Sequence, residues 1–212
     1  MRIGSKMIRT EHKEKEYEFP YVCYSPEGET KGLPLIIQLH GAGERGNGNL
    51  ELMDVHGFSK LLSEKDYACN VIMPQCPKDS FWVARIESLL SFIEKMAVKY
   101  GADRKRIYLT GISMGGYGTW YTAMARPSVF AAIAPVCGGG MKWNAATLNM
   151  PVMVFHGTDD KEVSVTQSDE MVEGLRKNGK DVTYNRIDGV GHNVWDCTFD
   201  DELMRWLLSK SL

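Results

Sequence analysis

The chain has 212 residues, a formal net charge of −2, 43% hydrophobic and 25% charged side chains, an ordinary balance for a globular protein. It carries no basic stripe and no block of like charge, which argues against nucleic acid or an anionic membrane surface as partner. No apolar run approaches the roughly 18 residues needed to cross a bilayer.

One α/β domain is expected over residues 17–212, with the polar residues 1–16 expected as an arm or an edge strand. The opening residues 1–6 have no apolar core behind their basic side chains, so no secretory signal is expected there. Five scattered cysteines (Cys23, Cys69, Cys76, Cys137, Cys197) include no C-x-x-C pair. They read as structural thiols in a reducing compartment, and the protein is expected to be cytoplasmic.

Residues 17–24 alternate aromatic and polar side chains like a strand, with Pro20 interrupting, and a turn follows at 25–28. Residues 35–39 are nearly all apolar, the mark of a strand covered on both faces. That strand stops at the glycine-rich stretch 40–48. Residues 70–74 repeat the buried-strand pattern. Val83, Ile86, Leu89, Leu90, Ile93, Met96, Ala97 and Tyr100 then keep the spacing of one helix face, and Gly101 supplies a stop. A strand over 106–110 and a helix over 117–125 flank the segment 111–116. Further buried strands are expected at 131–136 and 152–155, a helix at 166–177 and a last strand at 182–187. The closing helix at 200–209 has an acidic first turn, with Leu203, Trp206 and Leu207 facing inward. This alternation predicts a mostly parallel sheet with helices on both faces. Ligands then bind at the carboxyl ends of the strands, where the loops 40–48, 111–116 and 156–163 all open.

The segment Gly111-Ile112-Ser113-Met114-Gly115-Gly116, between strand and helix, is a nucleophile elbow: a tight turn that holds a serine hydroxyl above the sheet. The helix after it aims free amides at any negative charge formed there. A serine needs a base, and histidine suits neutral pH. His192, in the flexible Asp188-Gly189-Val190-Gly191-His192-Asn193 loop, is the candidate. His40 and His156 each end an apolar strand before a glycine and are expected to pack beneath the loops. His12 and His56 have no motif around them and are expected at the surface. No H-x-x-x-H or H-E-x-x-H spacing supports a metal site, and none is expected. The acid that orients the base should follow the fifth buried strand, where Asp159, Asp160 and Glu162 stand. The order serine, acid, histidine is that of an α/β-hydrolase, but spacing does not separate Asp159 from Asp160.

Taken together, His-Gly-x-Gly at 40–43, Gly-Ile-Ser-Met-Gly-Gly at 111–116, His-Gly-Thr-Asp-Asp-Lys-Glu-Val at 156–163 and Gly-His-Asn-Val-Trp at 191–195 resemble the α/β-hydrolase superfamily. The similarity is to its esterases grouped with phospholipase/carboxylesterases, feruloyl esterases and prolyl-oligopeptidase-like hydrolases, and it runs from about residue 34 to the C-terminus. The resemblance implies Asp160 as the acid. It also implies an oxyanion hole from the backbone N–H groups of Met114 and Ala42. The expected activity is hydrolysis of a small-molecule carboxylic ester through an acyl-enzyme on Ser113, with no cofactor. A peptidase or thioesterase of the same fold, or a non-catalytic binding member, is the alternative. Residues 137–150 are too short for a lid, so an open site is expected. Trp143 and Trp195 are candidates for the substrate pocket, with Trp82 near the same edge. Arg45 is a candidate for an acidic or sugar-bearing substrate, unless it pairs with Glu44 or another carboxylate.

Overall fold

Five apolar runs become strands in which every residue is buried, because helices cover the sheet from both sides. The computed structural model describes residues 6–212, and the expectation drawn from the opening residues falls largely outside them. The strands are β1 (Ile8–His12), β2 (Tyr21–Ser25), β3 (Leu35–Leu39), β4 (Asn70–Pro74), β5 (Ile107–Ile112), β6 (Ala132–Val136), β7 (Val152–Gly157) and β8 (Val182–Ile187). They form one sheet in the order β1-β2-β4-β3-β5-β6-β7-β8. β2 pairs antiparallel with β1 and β4, and every other pairing is parallel. This is the α/β-hydrolase architecture.

Alternate residues of the inner strands feed two cores. Leu35, Ile37 and Leu39 face helices α2 (Ile86–Lys99), α3 (Met114–Ala125) and α4 (Thr166–Lys177), through Phe92, Trp120 and Met171 among others. Ile36, Tyr108 and Ile112 face α1 (Gly57–Glu64) and α5 (Asp201–Leu208), through Phe58 and Leu207. The period-two alternation of side chains along a strand makes this division.

Several boundaries differ from expectation for local reasons. β5 runs on to Ile112 and α3 starts at Met114, so only Ser113 separates them. β2 begins after Pro20, whose carbonyl accepts the Gln75 N–H at 2.8 Å. α2 starts at Ile86 because residues 82–84 form a 3-10 turn, and Gly101 ends it with φ +56°. In α5, Leu203, Met204 and Leu207 are buried, whereas Trp206 is only half-buried. Helix α1 has no counterpart in the sequence pattern, although Phe58, Leu61 and Leu62 bury one face of it. The link from β6 to β7 contains one 3-10 turn, Lys142–Thr147, and no cap domain.

Candidate active site

Ser113 stands between β5 and α3 with φ 53° and ψ −115°, a conformation that strains any residue with a Cβ. The surroundings impose it. The Ser113 N–H donates to the Val136 carbonyl at 2.9 Å. A Cβ on Gly115 would lie 2.1 Å from the Leu39 carbonyl oxygen, and one on Gly111 would lie 2.4 Å from that of Gly115. The elbow is therefore wedged against the end of β3, and only glycine fits on either side of it.

The Ser113 hydroxyl lies 2.9 Å from His192 Nε2, and His192 Nδ1 lies 2.7 Å from Asp160 Oδ2. Asp160 is the carboxylate that meets the His192 imidazole; Asp159, one residue earlier, is exposed and its Oδ1 lies 3.4 Å from the Thr158 hydroxyl. The other Asp160 oxygen, Oδ1, accepts the N–H groups of Glu162 and Val163, both at 2.9 Å. Burial pushes this carboxyl up, but the His192 hydrogen bond and the two amides outweigh it and hold it below the usual range. An ionised Asp160 accepts only, so Nδ1 carries the imidazole proton and Nε2 presents its lone pair to the Ser113 O–H.

The two other strand-end histidines pack beneath the loops. His40 accepts the Cys76 N–H at Nε2 (2.8 Å) and donates from Nδ1 to the Gly41 carbonyl (2.6 Å). Trp82, buried beneath, donates its indole N–H to the His40 carbonyl at 3.0 Å. Burial pushes the His40 imidazole down to about 4. His156 donates from Nε2 to the Val163 carbonyl at 2.9 Å and receives the Ser168 hydroxyl at Nδ1, 2.7 Å away. It too is pushed down by burial. Both rings are neutral spacers that fix the loops above them.

The glycine-rich loop forms a 3-10 turn at Ala42–Glu44. As first residues of their helices, Ala42 and Met114 have N–H groups with no acceptor in the same helix. Gln75 ties this loop down from below. Its amide donates to the Glu44 and Asn49 carbonyls at 3.0 and 3.2 Å, and its oxygen accepts the Gly48 N–H at 2.8 Å.

Arg45 meets neither a substrate groove nor Glu44. It donates from Nε to the Ala42 carbonyl (2.9 Å) and from a terminal nitrogen to the Ser80 carbonyl (3.3 Å), so it braces the loop.

A groove of about 420 Å³ opens over Ser113, walled by Ala42, Val163, His192, Trp195 and His56. Trp195 meets the His192 ring edge-on at 5.1 Å. Trp143 is absent from this groove. It lies 78% exposed on the 3-10 turn after β6, beside Lys142 and Lys177. His56 is a correction in the opposite sense: expected at the surface, it forms a groove wall. No sequence motif marks it, because its contacts come from residues far along the chain. Cys137 is a second residue without a sequence signal. Its φ is +40°, and its sulfur groups with Asp160 and His192 within 4.8 Å. Burial pushes that thiol up to about 12. The carboxylate and imidazole beside it are already engaged with each other, which leaves a protonated thiol as packing rather than as a cation ligand.

Residues 23–128 match the profile of the BD-FAE family. Among characterised proteins, the chain is 32% identical over 166 residues to a bifunctional acetylxylan esterase/xylanase from Neocallimastix patriciarum, covering 74% of this chain and 23% of that protein. Among solved structures, a thermostable esterase superposes with TM-score 0.80 and 30% identity, over 98% of this chain and 64% of that one. A feruloyl esterase module from Clostridium thermocellum superposes with TM-score 0.76 at 14% identity, over 97% of this chain and 89% of its own, a likeness of fold. The chain thus spans less than two thirds of the first two of these proteins.

Proposed function

The chain belongs to the BD-FAE family of α/β-hydrolase serine esterases, and from that premise we propose that it hydrolyses small-molecule carboxylic esters through an acyl-enzyme on Ser113. The observation that carries this reading is the unbroken relay from the Ser113 hydroxyl through His192 to Asp160, at 2.9 and 2.7 Å. Ser113 attacks the ester carbonyl as His192 Nε2 takes its proton. Asp160 keeps the imidazole in the required tautomer and stabilises its charged form. The tetrahedral oxyanion is held by the N–H groups of Ala42 and Met114, each worth about 3–4 kcal/mol in the transition state. His192 then passes the proton to the departing alcohol. Water, activated by the same nitrogen, releases the acid. The scheme draws on no metal or cofactor.

Reaction with a fluorophosphonate, followed by peptide mapping, tests the assignment: one adduct on Ser113 is expected. An adduct elsewhere, or none on folded protein, refutes it. A panel of 4-nitrophenyl esters from acetyl to octanoyl, with a feruloyl ester, a thioester and an anilide, ranks ester cleavage against the thioesterase and peptidase alternatives.

A further inference from the structure

The groove over Ser113 contains a second carboxylate–imidazole pair, separate from Asp160 and His192. Glu44, at the end of the glycine-rich turn, has a side chain only 10% exposed, with Oε1 3.2 Å from His56 Nε2. Burial pushes the Glu44 carboxyl up, yet the facing imidazole holds it below its usual range. Its other oxygen, Oε2, is buried without a hydrogen-bond partner. Burying a carboxylate costs several kcal/mol unless it is paired; His56 is the nearer of two rings to it, since His40 Nδ1 lies 4.0 Å from Oε2 and donates to the Gly41 carbonyl.

With Nε2–H directed at Glu44, the second ring nitrogen of His56, Nδ1, becomes the acceptor. No group among the described residues hydrogen-bonds it, and the ring forms a wall of the groove that contains Ser113. Trp195 joins this pair to the base: its indole lies 4.9 Å from the His56 ring and 5.1 Å from the His192 ring.

This geometry decides which half of the ester meets the pair, given the esterase reading above. The leaving oxygen must sit within hydrogen-bond reach of His192 Nε2 to receive its proton. Beside His192 the groove is lined by Trp195, which leads to His56, and by Glu162 and Val163; the first of these paths offers the attached atoms an apolar face and a free acceptor. We propose that Glu44, His56 and Trp195 form the alcohol subsite. Nδ1 of His56 accepts the O–H of a hydroxyl on the carbon next to the esterified one, while the indole supplies an apolar face. The pair therefore selects monoesters of vicinal diols over esters of plain alkanols of the same size. A site built to bind a hydroxyl penalises the analogue lacking it, because a buried polar group is then left unpaired.

The test compares 2-hydroxyethyl acetate with its near-isostere propyl acetate in competition. The ratio of kcat/KM is read from the same preparation. The wild-type protein is expected to favour the hydroxy ester at least tenfold. His56→Phe keeps a ring against Trp195 but has no acceptor, and its ratio should fall to about one. Should that variant not fold, Glu44→Gln serves instead. It removes the charge that orients the His56 ring, and its ratio should fall at least threefold. A wild-type ratio below two, or a wild-type ratio preserved in either variant, overturns the subsite. Cleavage of both esters without preference sinks the subsite alone; failure to cleave either, with no fluorophosphonate adduct on Ser113, sinks the esterase reading and the subsite together.

Discussion

Replacing Asp160 by asparagine changes one atom and should stop the reaction. The two amides at 2.9 Å from Oδ1 require an acceptor there, so the asparagine must place its carbonyl oxygen at that point. Its NH2 group then occupies the place of Oδ2, 2.7 Å from His192 Nδ1 and 3.3 Å from His156 Nε2. An NH2 cannot face the Nδ1–H, so the imidazole takes its other tautomer, with Nδ1 accepting and Nε2–H pointing at the Ser113 oxygen. No lone pair is left to take the serine proton. A wrong tautomer of this kind costs serine hydrolases about 10⁴-fold in kcat, or about 5.5 kcal/mol of transition-state stabilisation. The fold should persist, since both amides and Nδ1 keep partners. Initial rates on 4-nitrophenyl acetate, with a circular-dichroism melt of each protein, read both effects. Asp159→Asn, at the exposed neighbour, should stay within about twofold of wild type, the ordinary scale of a surface change. Retention of more than a tenth of the activity by Asp160→Asn, or an equal loss in Asp159→Asn, would refute the reasoning.

Three further outcomes are expected. Ser113→Gly should be more stable than Ser113→Ala, against the usual ranking. Relief of φ 53° returns about 1–3 kcal/mol, and glycine's extra chain entropy takes back about 0.5–1. At a net of about 1 kcal/mol, a Tm gap of about 2–4 °C in favour of glycine follows for a chain of this size, and a melting comparison in which alanine equals or exceeds glycine contradicts it. His40, pushed down to about 4 from 6.5 by burial, is neutral when folded, while the unfolded chain binds a proton below pH 6.5. Stability is therefore complete above 6.5 and falls as pH drops to about 4, by on the order of 3 kcal/mol from this residue. An imidazole resonance of His40 titrating near 6.5 in the native protein would contradict that. Gln75→Ala should lower kcat at least tenfold while changing KM little, since it releases the loop that supplies the Ala42 N–H; loss of a whole oxyanion donor costs about 10²–10³. Steady-state kinetics showing an intact kcat would separate Gln75 from that loop.

The sheet was readable in the chain because parallel strands buried on both faces carry almost no polar interruption, as in residues 35–39 and 152–155. The serine, acid and histidine loops were readable because each follows such a strand directly. Helix α1 escaped because it is eight residues long and starts on a glycine, with His56 at its N-cap making no side-chain cap bond. Trp143, a pocket candidate by its place after β6, is carried elsewhere by the 3-10 turn at Lys142–Thr147, which packs on α4. Arg45 and Gln75 act through backbone carbonyls of distant residues, and no local pattern records such contacts. The Glu44–His56 pair likewise depends on how α1 lies against the glycine-rich loop, which is a tertiary fact.

The strand order also sets how this protein fails under stress. Ser113 leaves β5, which is held on one side by β3 and on the other by β6. His192 follows β8, which is zipped only to β7 and has a half-open face. Peripheral strands detach at lower free energy than interior ones, so warming is expected to fray the margin that carries His192 while the strands beneath Ser113 stay shut. Under the proposed scheme, turnover is expected to be lost, and regained on cooling, before the interior of the molecule has opened.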